Sequence, residues 1–243
     1  MTLALLAGVF ILLLMLRVPI AVAIGLAAFA ALLLELPPHT SAATLAQRVA
    51  VSGFSFTLIA IPLFILAGKL MASGGVARRL IDFARVAVGS WPGGLAVTNV
   101  LANMMFGSVS GSAAAAASGI GGFMIPAMAK ENYPRPYAAA LTATAATTGL
   151  LIPPSNVMLV YAVVAGGVSI SALFVAGYVP GLLLGLSLMA LAAYTSMREG
   201  YGERLPFPGW LALAQATAGV LPSVVLLVLV MGGIVSGLFT ATE

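Results

Sequence analysis

Two short stretches of an otherwise very apolar chain hold the residue types able to do chemistry: Gly107 to Gly122 (GSVSGSAAAAASGIGG) and Gly149 to Ser155 (GLLIPPS). The first sets the hydroxyls of Ser108, Ser110 and Ser112 around Gly111, a residue free to take positive φ and to let a ligand approach the backbone. The second contains Pro153-Pro154, which removes two amide donors and frees the preceding carbonyls from helical partners. In a bilayer such breaks are tolerated only where they are buried in protein or line a water-filled cavity, so both point to a binding site. The end of one half-helix exposes carbonyls and the start of the next exposes N–H groups, so a cation and an anion can be held side by side. Hard oxygen ligands without a carboxylate suit a monovalent ion such as Na⁺, because divalent cations normally recruit Asp or Glu.

Other chemistry is poorly provided for. There is no cysteine, and the single histidine, His39, lies in a Pro-rich stretch, so no thiolate nucleophile, His-based metal cluster or Ser/His/Asp triad is available. No carboxylate pair falls inside an apolar stretch, and the chain reads as a non-enzyme with no organic cofactor. Ten Lys and Arg residues, dispersed between apolar segments, form no phosphate-tracking patch, which sets nucleic acid aside. With 62% hydrophobic and 7% charged residues and a mean hydropathy of +1.16, the composition is that of an all-α integral membrane protein in a lipid bilayer.

The elements that position the two breaks follow from hydropathy. Thr2 to Leu34 reads as two closely spaced helices with a tight joint at Arg17-Val18-Pro19. Glu35 to Arg48 reads as a polar loop, and Val51 to Met71 as a third span carrying Pro62. In Ser73 to Trp91, Leu80, Phe83, Ala84, Ala87 and Val88 recur at helical spacing opposite Arg78, Arg79, Asp82 and Arg85, an amphipathic helix suited to lying on the membrane surface. Gly93 to Met128 has apolar residues enough for one span or for two half-spans. Lys130 to Arg135 is a polar turn, Tyr137 to Val164 is apolar apart from the Pro-Pro break, Ile170 to Met197 is a long span, and Leu211 to Phe239 opens another apolar segment.

Charge chooses between the two readings of Gly93 to Met128. If that segment returns to the side it came from, as a re-entrant hairpin, nine of the ten basic residues lie on one face of the membrane and only Arg48 lies opposite. If it crosses once, Lys130 and Arg135 move to the far side. The excess of Lys and Arg on cytoplasmic loops favours the hairpin, with the N-terminus and the Glu35 to Arg48 segment outside. Its tip is then Ser108-Val109-Ser110-Gly111-Ser112. Small-residue runs also serve as close-packing surfaces, and a proline also marks a kink, but paired discontinuous helices separated by one short turn favour a transport site. Asn99 and Asn103, four apart, read as an interhelical hydrogen bond in preference to ion ligands. Thr142, Thr144, Thr147 and Thr148 either line a cavity or bond back to their own helix.

The segments NMMFGSVSGSAAA (Asn103 to Ala115), IPAMAKENYPRPYAAALTATAATTGLLIPPS (Ile125 to Ser155), LFVAGYVPGLLLG (Leu173 to Gly185) and GGIVSGLFTATE (Gly232 to Glu243) resemble the large membrane subunit of tripartite ATP-independent periplasmic (TRAP) transporters. The resemblance runs from the N-terminus to the last residue. It implies an elevator-type secondary transporter of a bacterial inner membrane that uses a Na⁺ gradient to import a small carboxylate, of C4-dicarboxylate or sugar-acid type. A periplasmic binding protein would deliver the substrate, and a small four-helix membrane subunit would enlarge the scaffold. Carried over, Ser108, Ser110, Gly111 and Ser112 with the carbonyls of Gly149, Ile152 and Pro154 would form one Na⁺ site. Asn103, Pro153, Ser155 and Asn156 would support it and line the substrate cavity. Residues 1–72 would be scaffold, 73–92 an interfacial arm, 93–165 the moving segment, 166–205 a span and connector, and 206–243 the start of a second repeat. Two departures bear on selectivity: Ala113 stands where a second small hydroxyl residue is common, and Asn156 where an apolar residue is usual.

The family carries two inverted halves, and Leu226 to Glu243 corresponds to the opening helix and joint near Leu12 to Ala23, so the resemblance implies a chain that stops as its second repeat begins. A divalent-anion/Na⁺ symporter-like elevator carrier and a truncated, non-transporting membrane scaffold are the competing expectations. In a complete carrier, Gly111→Leu or Pro154→Ala is expected to weaken Na⁺ dependence of uptake more than membrane insertion. Unchanged Na⁺ affinity in both variants would remove the site assignment.

Overall fold

The computed structural model describes residues 2–53, 62–63, 66, 69–70, 74–202 and 206–239, and every regular element among them is helical. The chain divides into two compact units, Met1–Leu58 and Ile59–Glu243. In the first, α1 (Thr2–Met15) and α2 (Ile20–Leu32) are joined at Arg17, which takes φ 59°, and at Pro19, whose fixed φ of −53° precedes the first turn of α2. Ala23, Ala27 and Ala31, four apart, form the buried stripe of α2, which packs chiefly on α1. The polar loop expected over Glu35 to Arg48 is instead mostly helical, within α3 (Pro38–Gly53). Pro38 suits a first turn, where its missing N–H has no partner to lose, and the following Ala, Leu, Gln and Arg residues are good helix formers that outweigh the polarity. Ser41 secures the entry: its amide donates to Pro37 O at 2.9 Å and its hydroxyl to Leu36 O at 3.2 Å. The third span expected over Val51 to Met71, with its Pro62, lies for the most part outside the described residues.

In the second unit, α4 (Val76–Val88) buries Ala77, Leu80, Ala84 and Val88, while Arg78, Arg79, Asp82 and Arg85 remain exposed. The apolar stripe that the sequence offers to a membrane surface is taken up by protein, because α4 packs on α5 (Gly94–Ser110) and α10 (Trp210–Ser236). A left-handed glycine, Gly93 at φ 71°, turns the chain into α5.

Helix α5 folds back onto α6 (Ala113–Lys130) as an antiparallel pair: Asn99 meets Met128 near the open end, and Phe106 meets Gly119 near the joint. Helix α7 (Arg135–Thr148) then runs parallel to α5, with Thr142 beside Asn99 and Gly149 beside Gly107. At Gly149–Leu151 it tightens into a 3₁₀ turn and stops. Two prolines in succession cannot donate to a helical ladder, and a residue before proline is driven out of the helical region, so Ile152 is extended at φ −92°, ψ 119°. After the cis Pro153-Pro154 bond and an extended Ser155, the helix resumes as α8 (Asn156–Ala165), bent by 52° from α7.

Helix α9 (Ile170–Glu199) runs back antiparallel to α5, placing Gly185 against Met104 and Ser196 against Gly93. Its start is capped by Ser169, whose hydroxyl accepts from Ala172 N at 3.4 Å, and its end by the left-handed Gly200. Gly177, Gly181 and Gly185, four apart, lie on its buried face. A Cβ on Gly177 would come to 2.6 Å from Leu151 O, and one on Gly181 to 2.7 Å from the Ile152 side chain. The stripe thus makes room for the break. Among the described residues, α9 and α10 are long and apolar enough to cross a membrane singly, and α7 with α8 qualifies as a bent third.

The open end of the α5–α6 pair is held by aromatic packing. Tyr133 and Tyr137 stack at 6.2 Å between centroids, and Tyr201, beyond α9, tilts against both at 5.8 and 5.7 Å. Burial raises the Tyr133 phenol above its ordinary pKa. Arg85 Nη2 of α4 approaches Glu131 Oε1 at 3.9 Å at this same end.

Helix α5 and the end of α7 cross closely at Gly107 and Gly149, where a Cβ on either would fall 2.6–2.7 Å from the other's Cα. Gly107→Ala or Gly149→Ala is expected to lower thermal stability in detergent by about 1–3 kcal/mol, the usual cost of overpacking. Gly122→Ala, in α6 where a Cβ meets nothing within 4 Å, is expected to be neutral or to gain up to about 1 kcal/mol.

Candidate functional site

The α5–α6 joint consists of Gly111, left-handed at φ 61°, ψ 16°, and Ser112, extended at φ −138°, ψ 115°. Gly111 N donates to Gly107 O at 2.8 Å and closes α5, while Ser112 Oγ accepts from Ala115 N at 3.3 Å and opens α6. Ser110 Oγ and the Ser112 backbone lie 3.4 Å apart, a weak link across the turn. A Cβ on Gly111 would come to 3.1 Å from both the backbone N and the Nδ2 of Asn156. The joint therefore abuts the first residue of α8, and the two breaks meet.

Four helical ends converge there: the C-terminus of α5, the N-terminus of α6, the end of the 3₁₀ turn and the N-terminus of α8. Carbonyl and amide ends alternate in one small volume, the arrangement that holds ions of both signs. Ser155 sits at the N-cap of α8 without making a side-chain cap bond. Its Oγ and the Oδ1 of Asn156 are buried and have no hydrogen-bond partner among the described residues. Buried acceptors are nearly always satisfied in folded proteins, so unpaired ones beside two broken helices mark a place for a ligand or water.

A second polar feature lies deeper along α5. Asn103 is two turns from Gly111, about 12 Å at 1.5 Å per residue, and its backbone O lies 3.0 Å from where a Gly149 Cβ would stand. Asn103 Nδ2 donates to both Asn99 O and Asn99 Oδ1 at 2.8 Å, and Asn99 Nδ2 donates to Thr142 Oγ1 at 2.8 Å. The Thr142 hydroxyl donates in turn to Ala138 O at 2.7 Å. Asn103 Oδ1 is buried and has no hydrogen-bond partner among the described residues.

The structure thus brings Gly111 to Asn156, the residue after Ser155, and the Asn103 backbone carbonyl to Gly149. Ser110 and Ser112 frame the joint. Ser108 points elsewhere: its hydroxyl donates to Met105 O at 2.8 Å, and it lines a cavity of about 180 Å³ with Leu80, Val109, Ser223 and Leu227, toward α4 and α10. Pro153 and Pro154 are buried, and the Ile152 side chain lies against Gly181. The interhelical bond read for Asn99 is present between α5 and α7. Thr142, Thr144, Thr147 and Thr148 all bond back to carbonyls of their own helix. Sequence reasoning missed the seating of Gly111 on Asn156 and the glycine stripe of α9. The Gly-x₃-Gly-x₃-Gly spacing at 177, 181 and 185 was the available signal for the second.

The model of the DctM component of the tripartite ATP-independent periplasmic transporters matches residues 7–243. The chain is 43% identical to the C4-dicarboxylate TRAP transporter large permease protein DctM of Vibrio cholerae, over 93% of this chain and 49% of that one. It is 44% identical to the protein of the same name from Pseudomonas aeruginosa, over 84% of this chain and 47% of that one. To the sialic acid TRAP transporter permease protein SiaT of Haemophilus influenzae it is 37% identical, over 81% of this chain and 32% of that one. The chain spans about half the length of the first of these relatives.

Proposed function

The chain belongs to the DctM family of tripartite ATP-independent periplasmic transporters, and on that premise we propose that it supplies one ion-binding half of a Na⁺-coupled carboxylate importer in a bacterial inner membrane. The observation that carries the reading is the seating of Gly111 on Asn156, where, among the described residues, the buried Ser155 Oγ and Asn156 Oδ1 lack partners. Carbonyls at the end of α5 and of the 3₁₀ turn, with the hydroxyls of Ser110, Ser112 and Ser155, hold Na⁺. The amide ends of α6 and α8 lie beside them and receive the carboxylate, whose charge the neighbouring cation offsets. Among the described residues, no group of histidines or carboxylates is placed to hold a metal ion.

Hairpin geometry supports a re-entrant insertion. The joint of α5 and α6 lies level with the break between α7 and α8, and α8 continues for ten residues beyond it, about 15 Å. Lys130, Arg135 and Arg198 gather at the opposite, open end, in keeping with a cytoplasmic base and a periplasmic N-terminus. In the elevator reading, 93–165 move as a body against the scaffold of 1–72. A small four-helix membrane subunit and a periplasmic binding protein complete the assembly.

The test is uptake into proteoliposomes holding this chain, the small subunit and, outside, the loaded binding protein, with and without a separately supplied second half. Uptake that follows an inward Na⁺ gradient and vanishes when choline replaces Na⁺ is the expected result once both halves are present. Uptake indifferent to Na⁺ would overturn the coupling, and no uptake under any combination would favour a scaffold without transport. Ser155→Ala is expected to raise the Na⁺ concentration for half-maximal uptake about threefold or more, the effect of one lost oxygen ligand, with little change in folding.

A further inference from the structure

At the break between α7 and α8, hydrogen-bonding groups of both kinds are left over side by side. The earliest backbone bond of α8 runs from Leu159 N to Ser155 O at 3.2 Å, so the amides of Asn156, Val157 and Met158 have no partner among the described residues. Ser155, at 1% exposure, stands at the N-cap with its Oγ unpaired, an oxygen that a helix start closed on itself would have used. The Asn156 side chain lies at the joint, its Cγ 3.2 Å and its Nδ2 3.1 Å from where a Gly111 Cβ would stand. Its NH₂ is thus turned to the C-terminus of α5, where carbonyls gather, and its buried Oδ1 is left without a donor among the described residues.

A carboxylate offers only acceptors, so it can rest on the free amides of α8 but not against Asn156 Oδ1. That oxygen requires a donor or a cation. A cation is disfavoured there, because the first turn of α8 carries the positive end of the helix dipole, whereas the carbonyl ends of α5 and of the 3₁₀ turn attract it. The group left is a hydroxyl on the ligand itself. We propose that the substrate of this site is a hydroxy acid, whose carboxylate takes the open amides of α8 while a hydroxyl on the adjoining carbon donates to Asn156 Oδ1. The inference rests on the carboxylate reading above and narrows it by one functional group. An acid without the hydroxyl leaves Oδ1 buried and unpaired, which is how a site built for a substrate hydroxyl rejects the analogue that lacks it.

The experiment is thermal unfolding, in detergent, of this chain assembled with the small subunit and the separately supplied second half. Binding protein is left out, so that selectivity is read at the membrane site alone. Each enantiomer of malate is titrated against succinate, which lacks only the hydroxyl, at fixed Na⁺ and ionic strength. The parent assembly is expected to reach half-maximal stabilisation at about tenfold less of one malate enantiomer than of succinate, the worth of one buried hydrogen bond. Asn156→Leu is expected to respond to the acids alike, and because each ratio is internal to one variant, a change in baseline stability cancels. A parent that tells neither malate from succinate, or a Leu variant that keeps the preference, would overturn the hydroxyl contact and leave the carboxylate reading standing. A Leu variant that loses the preference only together with its Na⁺ response would put Oδ1 on the cation, which overturns the contact as well. If no acid stabilises the parent, the carboxylate reading falls, and this inference with it.

Discussion

Two backbones cross at Gly107 and Gly149 with no side chain between them, and the rest of the second unit is arranged around that contact. Because neither residue carries a Cβ, α5 and the end of α7 approach closely enough for the Asn103 carbonyl to face the 3₁₀ turn. The same closeness brings Gly111, one turn further on, onto the first residue of α8. Van der Waals attraction between small surfaces is what holds helices together where hydrophobic contrast with the surroundings is absent. The polar atoms at the crossing are a consequence of that packing: broken helices leave them unpaired, and close backbones leave no space for water in bulk.

Aromatic packing and helix breaks are separated along the unit. At the open end of the α5–α6 pair, three tyrosine rings join the α6–α7 turn, the start of α7 and the segment after α9. At the joint, side chains are small and several hydroxyls bond back to their own helices. The hairpin thus carries its aromatic packing at one end and its small, hydroxyl-bearing residues at the other.

Much of this was legible in the sequence, because helix breakers and long apolar runs act locally. Pro153-Pro154 stops α7 whatever surrounds it, Gly111 and Ser112 form a turn through their own φ and capping preferences, and the charges at 130 and 135 argue for a chain that turns back. Less legible was anything decided by packing between distant segments. Pro38 to Gly53 is polar enough to read as a loop and is helical. The stripe on α4 meets α5 and α10 instead of being left for a membrane. Ser108 belongs to the same serine-rich run as Ser110, yet helical geometry turns it toward a different neighbour. The pairing of Asn99 with Thr142 spans 43 positions, and no local pattern announces it.

The glycine stripe of α9 carries a consequence for heredity as well as for packing. Every missense change in a glycine codon adds a Cβ, and at 177, 181 and 185 that atom would come to 2.1–2.7 Å from Met158, the Leu151 carbonyl, Ile152 or Met104. At Gly185 the neighbour is the flexible end of a methionine, which can swing aside, whereas at Gly177 one neighbour is a backbone carbonyl, which cannot. Of the changes one nucleotide away, alanine or serine is therefore accommodated at less cost at codon 185 than at codon 177.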